Sequence, residues 1–287
     1  MAILAGLPRH VALAHPKSFA GVHTVSMRTA PSGDTRVAGV IGDPVRHSLS
    51  PALHNAGFAH LGLDWTYVAF EVPAGGGADA VAAMRALGID GLSVTMPLKA
   101  EVAEACDELS PIAGLLGAVN CVRRAGDRLI GENTDGTGFL RSLRTQVGFD
   151  PAGMQTVVLG AGGAARAVIV ALAAEGASVT VVNRSPDAAE RAAALGARAA
   201  DGTGTVAVGG PDAVCDADVV VNATPLGMVA GDPLPVDPAL LRDGQVVVDL
   251  IYRPARTPLL DAAALAGATA LNGVGMLLFQ AAEQFTM

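Results

Sequence analysis

One ionisable residue, Lys99, stands where a local rule disfavours it, and a second, Asp135, ends a strand in the same half of the chain. Lys99 opens the segment KAEVAEACDEL in what reads as the first turn of a helix. There the positive end of the macrodipole opposes a cation by roughly 0.3–1 kcal/mol, which makes the amine a readier proton donor, and functional sites are where such rules fail. Asp135 closes the strand-like run LIGENTD ahead of Gly-Thr-Gly, a place equally suited to capping a helix. Asn120, between Val119 and Cys121 in a β-type run, runs against strand propensity. If buried it needs partners, from a neighbouring loop or from a ligand hydroxyl. Gln280 lies four after Met276 and three after Leu277, so an amide shares a helix face with apolar residues. Tyr252 ends the run VVVDLIY at the expected carboxyl edge of a sheet, where open α/β folds bind ligands. In GDPVRHSLSPALHNAGF, residues 42–58, Pro51 suits the first helical position and Ser50 the N-cap. Ser48 is then left over, either as part of the local helix grammar or as a grip on a ligand, with His47 supporting the loop by a hydrogen bond.

A second chemistry is written in TVVLGAGGAARAVIVAL, where Gly160, Gly162 and Gly163 fall between a strand pattern and a helix pattern. Without a side chain at Gly162 a pyrophosphate can approach the backbone, and the helix N-terminus favours an anion. Ala165 fills the last small position of that fingerprint. At the end of the next strand an NAD-selective site places Asp or Glu on the ribose, whereas this chain has Asn183, Arg184 and Ser185. A carboxylate repels a 2′-phosphate and a guanidinium binds it, so NADP is favoured over NAD. The local alternative is that Ser185 and Pro186 simply cap the following helix.

The elements that must position these groups follow an alternating pattern. Strands are expected at 36–42, 65–72, 91–96, 156–160, 178–184, 218–224 and 245–252, and helices at 50–62, 78–88, 99–109, 137–147, 163–175, 186–197 and from about 273. A hairpin turning at Gly126 and Asp127 joins 117–124 to 129–133. Alternation of this kind gives a mainly parallel sheet covered by helices. The fold class is therefore α/β with two domains and a cleft between them: a substrate-binding catalytic domain over 37–140, with the final helix at about 273–287 packing back toward it, and a Rossmann-like dinucleotide domain over 141–272. Residues 1–36 read as a flexible N-terminal extension, or as an upstream start ahead of a first residue at Met27.

Composition narrows the partners. Among 287 residues, 19 basic and 27 acidic side chains give a net charge of -8, and aromatics make up 3%. That balance opposes a broad grip on nucleic acid, and the longest apolar runs fall short of the roughly 20 residues a membrane helix needs. The three cysteines show no C-x-x-C spacing, so no metal site is expected and a cytoplasmic location fits. A small molecule is the expected partner, with the chain a monomer or homodimer.

Several short motifs then occur in one order: DPVRHSLSP, VTMPLK, GAVN, NTDG, GAGGAA, NRS, NAT and GVGMLLFQ. In that order, from about residue 37 to the end, they resemble the shikimate dehydrogenase family. The resemblance implies NADPH-dependent reduction of 3-dehydroshikimate to shikimate, with Lys99 and Asp135 as the catalytic pair. It implies that Ser48 and Ser50 hold the substrate carboxylate, and that Thr95, Asn120, Asp135 and Gln280 contact the ring hydroxyls with Tyr252 nearby. Gly160, Ala161, Gly162, Gly163, Ala164, Asn183, Arg184, Ser185, Thr224, Leu250, Gly273 and Met276 would line the NADP site. Two departures matter: Ala188 stands where some relatives carry a second basic residue for the 2′-phosphate, which relaxes the expected NADP selectivity, and Ser93 stands where many have Asn. A quinate or broad-range polyol dehydrogenase, often NAD-linked, is the nearest alternative, and a non-catalytic NADP-binding sensor is another.

Overall fold

In the computed structural model, which describes residues 30–200 and 202–287, the chain builds two six-stranded sheets. The expected extension lies outside the described residues as far as residue 29, and Met27 with it. The first sheet is formed by β1 (Arg36–Gly42), followed by α1 (Ser50–Leu61), β2 (Trp65–Glu71), α2 (Gly77–Ala86), β3 (Gly91–Val94) and α3 (Lys99–Ala105). It is completed by β4 (Glu108–Leu109), α4 (Pro111–Leu116), β5 (Cys121–Ala125) and β6 (Arg128–Glu132), in the order β2-β1-β3-β5-β6-β4. Strand β1 pairs in parallel with β2 and β3, while β5 is antiparallel to both β3 and β6.

Helix α5 (Asp135–Val147) leads out of this lobe into β7 (Gln155–Leu159), α6 (Gly163–Ala174), β8 (Ser178–Val182), α7 (Pro186–Ala199) and β9 (Val206–Val208). Then come β10 (Val219–Asn222), β11 (Val246–Asp249), α8 (Pro258–Leu265), β12 (Thr269–Leu271) and α9 (Val274–Thr286). This sheet is parallel throughout, in the order β12-β11-β10-β7-β8-β9. Its valine-rich strands are covered on both faces, as parallel strands require. Val158, Val219 and Val221 join one buried cluster, and Val157, Leu159, Val220 and Val247 join another.

The lobes meet through helices. Helix α9 leaves the edge of the second sheet and packs along α5 and against α1, so its end reaches the first lobe. Glycine makes this approach possible, because a Cβ on Gly138 in α5 would come within 2.6 Å of the Gln280 backbone nitrogen. A smaller apolar cluster of Leu116, Ala118, Ala167 and Val170 seals α4 to α6. Among the described residues no helix is long and apolar enough to cross a membrane, and no cluster of His, Cys, Asp or Glu is placed to hold a metal.

The short elements α4, β9, α8 and β12 stand where the sequence pattern shows none. The expected helix over 99–109 ends at Ala105, since Cys106 turns to an extended conformation and the chain adds β4 to the sheet.

Candidate functional site

Helix α3 is anchored by Leu98 and Val102, both fully buried, and this directs Lys99 toward the cleft. Lys99 Nζ lies 2.5 Å from Asp135 Oδ2, with the two side chains 23% and 10% exposed. A charge-assisted contact this short, largely out of water, holds the ammonium in one place. The carboxylate is fixed in turn by Asn120 Nδ2, 2.7 Å from Oδ1. The same amide donates to Thr134 Oγ1 at 3.0 Å, and Asn120 Oδ1 accepts from the Thr134 N–H at 2.8 Å. The buried asparagine therefore finds its partners in the protein: both amide protons are taken, and it orients Asp135. Asp135 is the first residue of α5 with Thr134 in the cap position, so it does not cap the helix.

The serine loop differs from its expected grammar. Leu49 occupies the cap position of α1 with no side-chain cap, and Ser50 is already helical. A turn closed by Ser48 N–H to Val45 O at 2.9 Å runs straight into the helix. Ser48 Oγ accepts from the Ser50 N–H at 3.2 Å, a turn-type bond to a residue two ahead. His47 makes no hydrogen bond to this loop among the described residues, and instead faces the cavity beside it.

That cavity, about 360 Å³, gathers groups from both lobes. Ser48, Ser50, Thr95, Lys99, Asn120 and Asp135 line it from the first, and Ala164, Leu250, Tyr252, Gly273, Met276 and Gln280 from the second. Close approach is again built on glycine: a Cβ on Gly42 would meet Thr95 Cγ2 at 2.3 Å, and one on Gly273 would meet the Leu250 carbonyl oxygen at 2.0 Å. Met228, Ser93 and Gln284 also line the cavity. Sequence reading did not select Met228 or Gln284, and only their place in the fold distinguishes them.

The glycine loop lies at the carboxyl end of β7. Gly160 has φ +113°, a conformation that excludes most side chains. Gly162 caps α6 without a side-chain hydrogen bond, and no acidic residue sits in the first turn. A Cβ on Gly162 or Gly163 would meet nothing within 4 Å, so no side chain crowds the start of α6, and a helix N-terminus of this kind suits a pyrophosphate. Asn183, Arg184 and Ser185 follow β8, and Ser185 Oγ accepts from the Ala188 N–H at 3.4 Å as the α7 cap. Thr224 follows β10, its hydroxyl donating to Asn222 Oδ1 at 2.7 Å. These positions are the carboxyl ends of neighbouring parallel strands, where a dinucleotide binds in such sheets.

A second cavity, about 600 Å³, opens beside Ala161 and carries Ala188, Arg166, Arg191 and Arg198 on its wall. Arg166 Nε is buried with no hydrogen-bond partner among the described residues. Arg191 follows Ala188 by three on α7, and side chains on a helix lean toward its N-terminus. The small alanine leaves that path open. A basic residue one turn after an alanine is the sequence signal that could have found Arg191.

Comparison with known proteins agrees with this architecture. The family profile described as "Shikimate dehydrogenase substrate binding domain" matches residues 40–122, and "NADP oxidoreductase coenzyme F420-dependent" matches residues 155–252. The NADP(+) shikimate dehydrogenase of Methanopyrus kandleri is 46% identical over 270 residues, covering 92% of this chain and 93% of that protein. The structure of shikimate dehydrogenase from Thermus thermophilus in complex with NADP(H) and shikimate superposes with a TM-score of 0.80 at 36% identity, over 87% of this chain and 92% of that one. A quinate dehydrogenase from Corynebacterium glutamicum in complex with NAD gives a TM-score of 0.79 at 32% identity, over 88% and 92%. With both lobes accounted for and close to half its residues shared along nine-tenths of such a relative, the chain belongs to the shikimate dehydrogenase family.

Proposed function

We propose that this chain catalyses the NADP-dependent interconversion of 3-dehydroshikimate and shikimate. The observation that carries the reading is the 2.5 Å contact of Lys99 with Asp135 on the wall of a cavity shared by both lobes. Ser48, Ser50 and the first turn of α1 would hold the substrate carboxylate, since hydroxyls and a helix N-terminus both favour an anion. Thr95, Asp135 and Gln280 would meet the ring hydroxyls, with Asn120 steadying Asp135 and Tyr252 bordering the ring.

When bound, NADPH supplies a hydride to the ring ketone carbon. Lys99 donates a proton from Nζ to the ketone oxygen, so C=O becomes CH–OH and the amine is left neutral until solvent restores its proton. Asp135 keeps the ammonium aimed at that oxygen, the positioning on which general acid catalysis depends. The glycine loop would take the pyrophosphate, Leu250, Gly273 and Met276 would border the nicotinamide end, and Arg184 would meet the 2′-phosphate. One chain contributes every group in this scheme, so monomer and homodimer serve equally. The three free thiols, Cys106, Cys121 and Cys215, accord with a reducing cytoplasm.

The test is an absorbance assay of nicotinamide reduction with shikimate or quinate and NADP or NAD. Shikimate with NADP should give the highest kcat/KM; absence of turnover with shikimate overturns the reading, and preference for quinate replaces it with the quinate alternative.

Arg191 also belongs to this proposal, as the cation that stands in for the missing basic residue at Ala188. Hydrogen bonds to charged groups are worth about 1.5–3 kcal/mol, so Arg191→Ala should raise KM for NADP roughly tenfold or more. KM for NAD, which lacks the 2′-phosphate, should not move. An unchanged ratio of kcat/KM between the two cofactors would remove Arg191 from this role.

A further inference from the structure

Gln284 stands one turn beyond Gln280 on α9 and ties that side chain to Ser93 of β3, to Thr134 ahead of α5 and to the Asn120 carbonyl ahead of β5. Its Oε1 accepts from Ser93 Oγ at 2.5 Å. Ser93 has one proton and uses it there, so Tyr67 must be the donor in the 2.5 Å pair between its hydroxyl and Ser93 Oγ. On the other side Gln284 Nε2 lies 2.7 Å from Gln280 Oε1, and 3.3 Å from both Thr134 Oγ1 and the Asn120 carbonyl oxygen.

The amide cannot be reversed without loss. Its oxygen would then face the Asn120 carbonyl, which only accepts. That carbonyl therefore sets the direction of Gln284, and Gln284 sets the direction of Gln280. With Oε1 turned toward Gln284, Gln280 keeps its Nε2 for the Leu277 carbonyl at 2.9 Å and for the cavity it lines. The site thus offers a ligand a donor at this point.

We propose that Gln284 is a positioning residue that fixes the Gln280 amide with its NH2 toward the substrate, so that a ring oxygen is bound there as an acceptor. The inference rests on the shikimate reading for its assay substrate. Gln284→Met keeps length and bulk while removing both hydrogen-bonding functions. It should raise KM for shikimate about tenfold, leave KM for NADP unchanged and alter kcat by less than about threefold.

A space-filling role would make that loss independent of Gln280. Acting through Gln280 makes it disappear in the Gln280→Ala background, where Gln284→Met should add less than about twofold. Should Gln284→Met fail to fold, Gln284→Glu, which keeps an acceptor for Ser93 but removes the donor to Gln280 Oε1, should show the same non-additivity. Multiplicative effects, or an unchanged KM for shikimate, overturn the inference alone. No turnover of shikimate by the unaltered protein overturns the functional reading, and this inference with it.

Discussion

Lys99→Ala is expected to lower kcat by at least about a hundredfold with a much smaller change in KM. General acid catalysis by a positioned group is typically worth 10² to 10⁴ in rate, and the bond from Nζ to the ketone oxygen strengthens only as negative charge develops there. An interaction made chiefly in the transition state appears in kcat rather than in KM. The groups assigned to the substrate carboxylate, Ser48 and Ser50, lie on a different element and are left intact. Asp135 also stays in place, because Asn120 Nδ2 still donates to it at 2.7 Å, so the cavity keeps its shape. Lys99→Met, which retains the apolar stem, should behave like the alanine variant; a normal stem with no ammonium then isolates the proton as the missing element. Steady-state kinetics in the direction of NADP reduction measures both constants. Turnover within a few-fold of the unaltered protein would exclude Lys99 as the acid.

Lys99 was legible because a cation at a helix start breaks a local rule, and such conflicts survive in a sequence only when something else gains from them; Asp135 obeys the preference for an acid at a helix N-terminus, and only the family resemblance paired it with Lys99. The glycine loop was legible because strand, glycines and helix occur in one order that serves phosphate binding. Helix starts were less legible than their grammar promised. Ser50 looked like a cap, but a turn from Val45 to Ser48 carries helical backbone back to Leu49. Conversely, Ser110-Pro111 and Thr257-Pro258 are true caps, accepting from the Ala113 and Leu260 N–H groups, yet the helices they open are too short to show an apolar period. Strands β9 and β12, three residues each, lie below the length at which alternation is visible. Gln284 was not legible, because its partners Ser93, Asn120 and Thr134 come from distant parts of the chain and meet it only in the fold.

His54 predicts a loss of stability in mild acid that one substitution should abolish. It is 5% exposed, stacked on Tyr67 at 4.3 Å with ring planes 4° apart, and its Nε2 has no partner among the described residues. Burial pushes its pKa down to about 4, whereas in the unfolded chain the imidazole takes a proton at about 6.5. Between those values the unfolded state binds more protons than the folded one. Stability from this group is therefore complete above about pH 6.5 and falls as pH drops toward 4, by about 1.4 kcal/mol per unit and about 3 kcal/mol in all. The loss bears on function because α1 carries Ser50, and Phe285, which packs near His54, ends the helix that carries Gln280. Two hydrogen bonds between the Asn55 side chain and the Tyr67 backbone hold α1 on β2, so protonation strains a joint that both substrate-facing helices share. His54→Phe keeps a ring in the stack and removes the titration. Urea unfolding of both proteins between pH 7 and pH 4.5 should show the unaltered chain losing about 2–3 kcal/mol more than the variant. Parallel decline of the two would mean that His54 is not the group responsible.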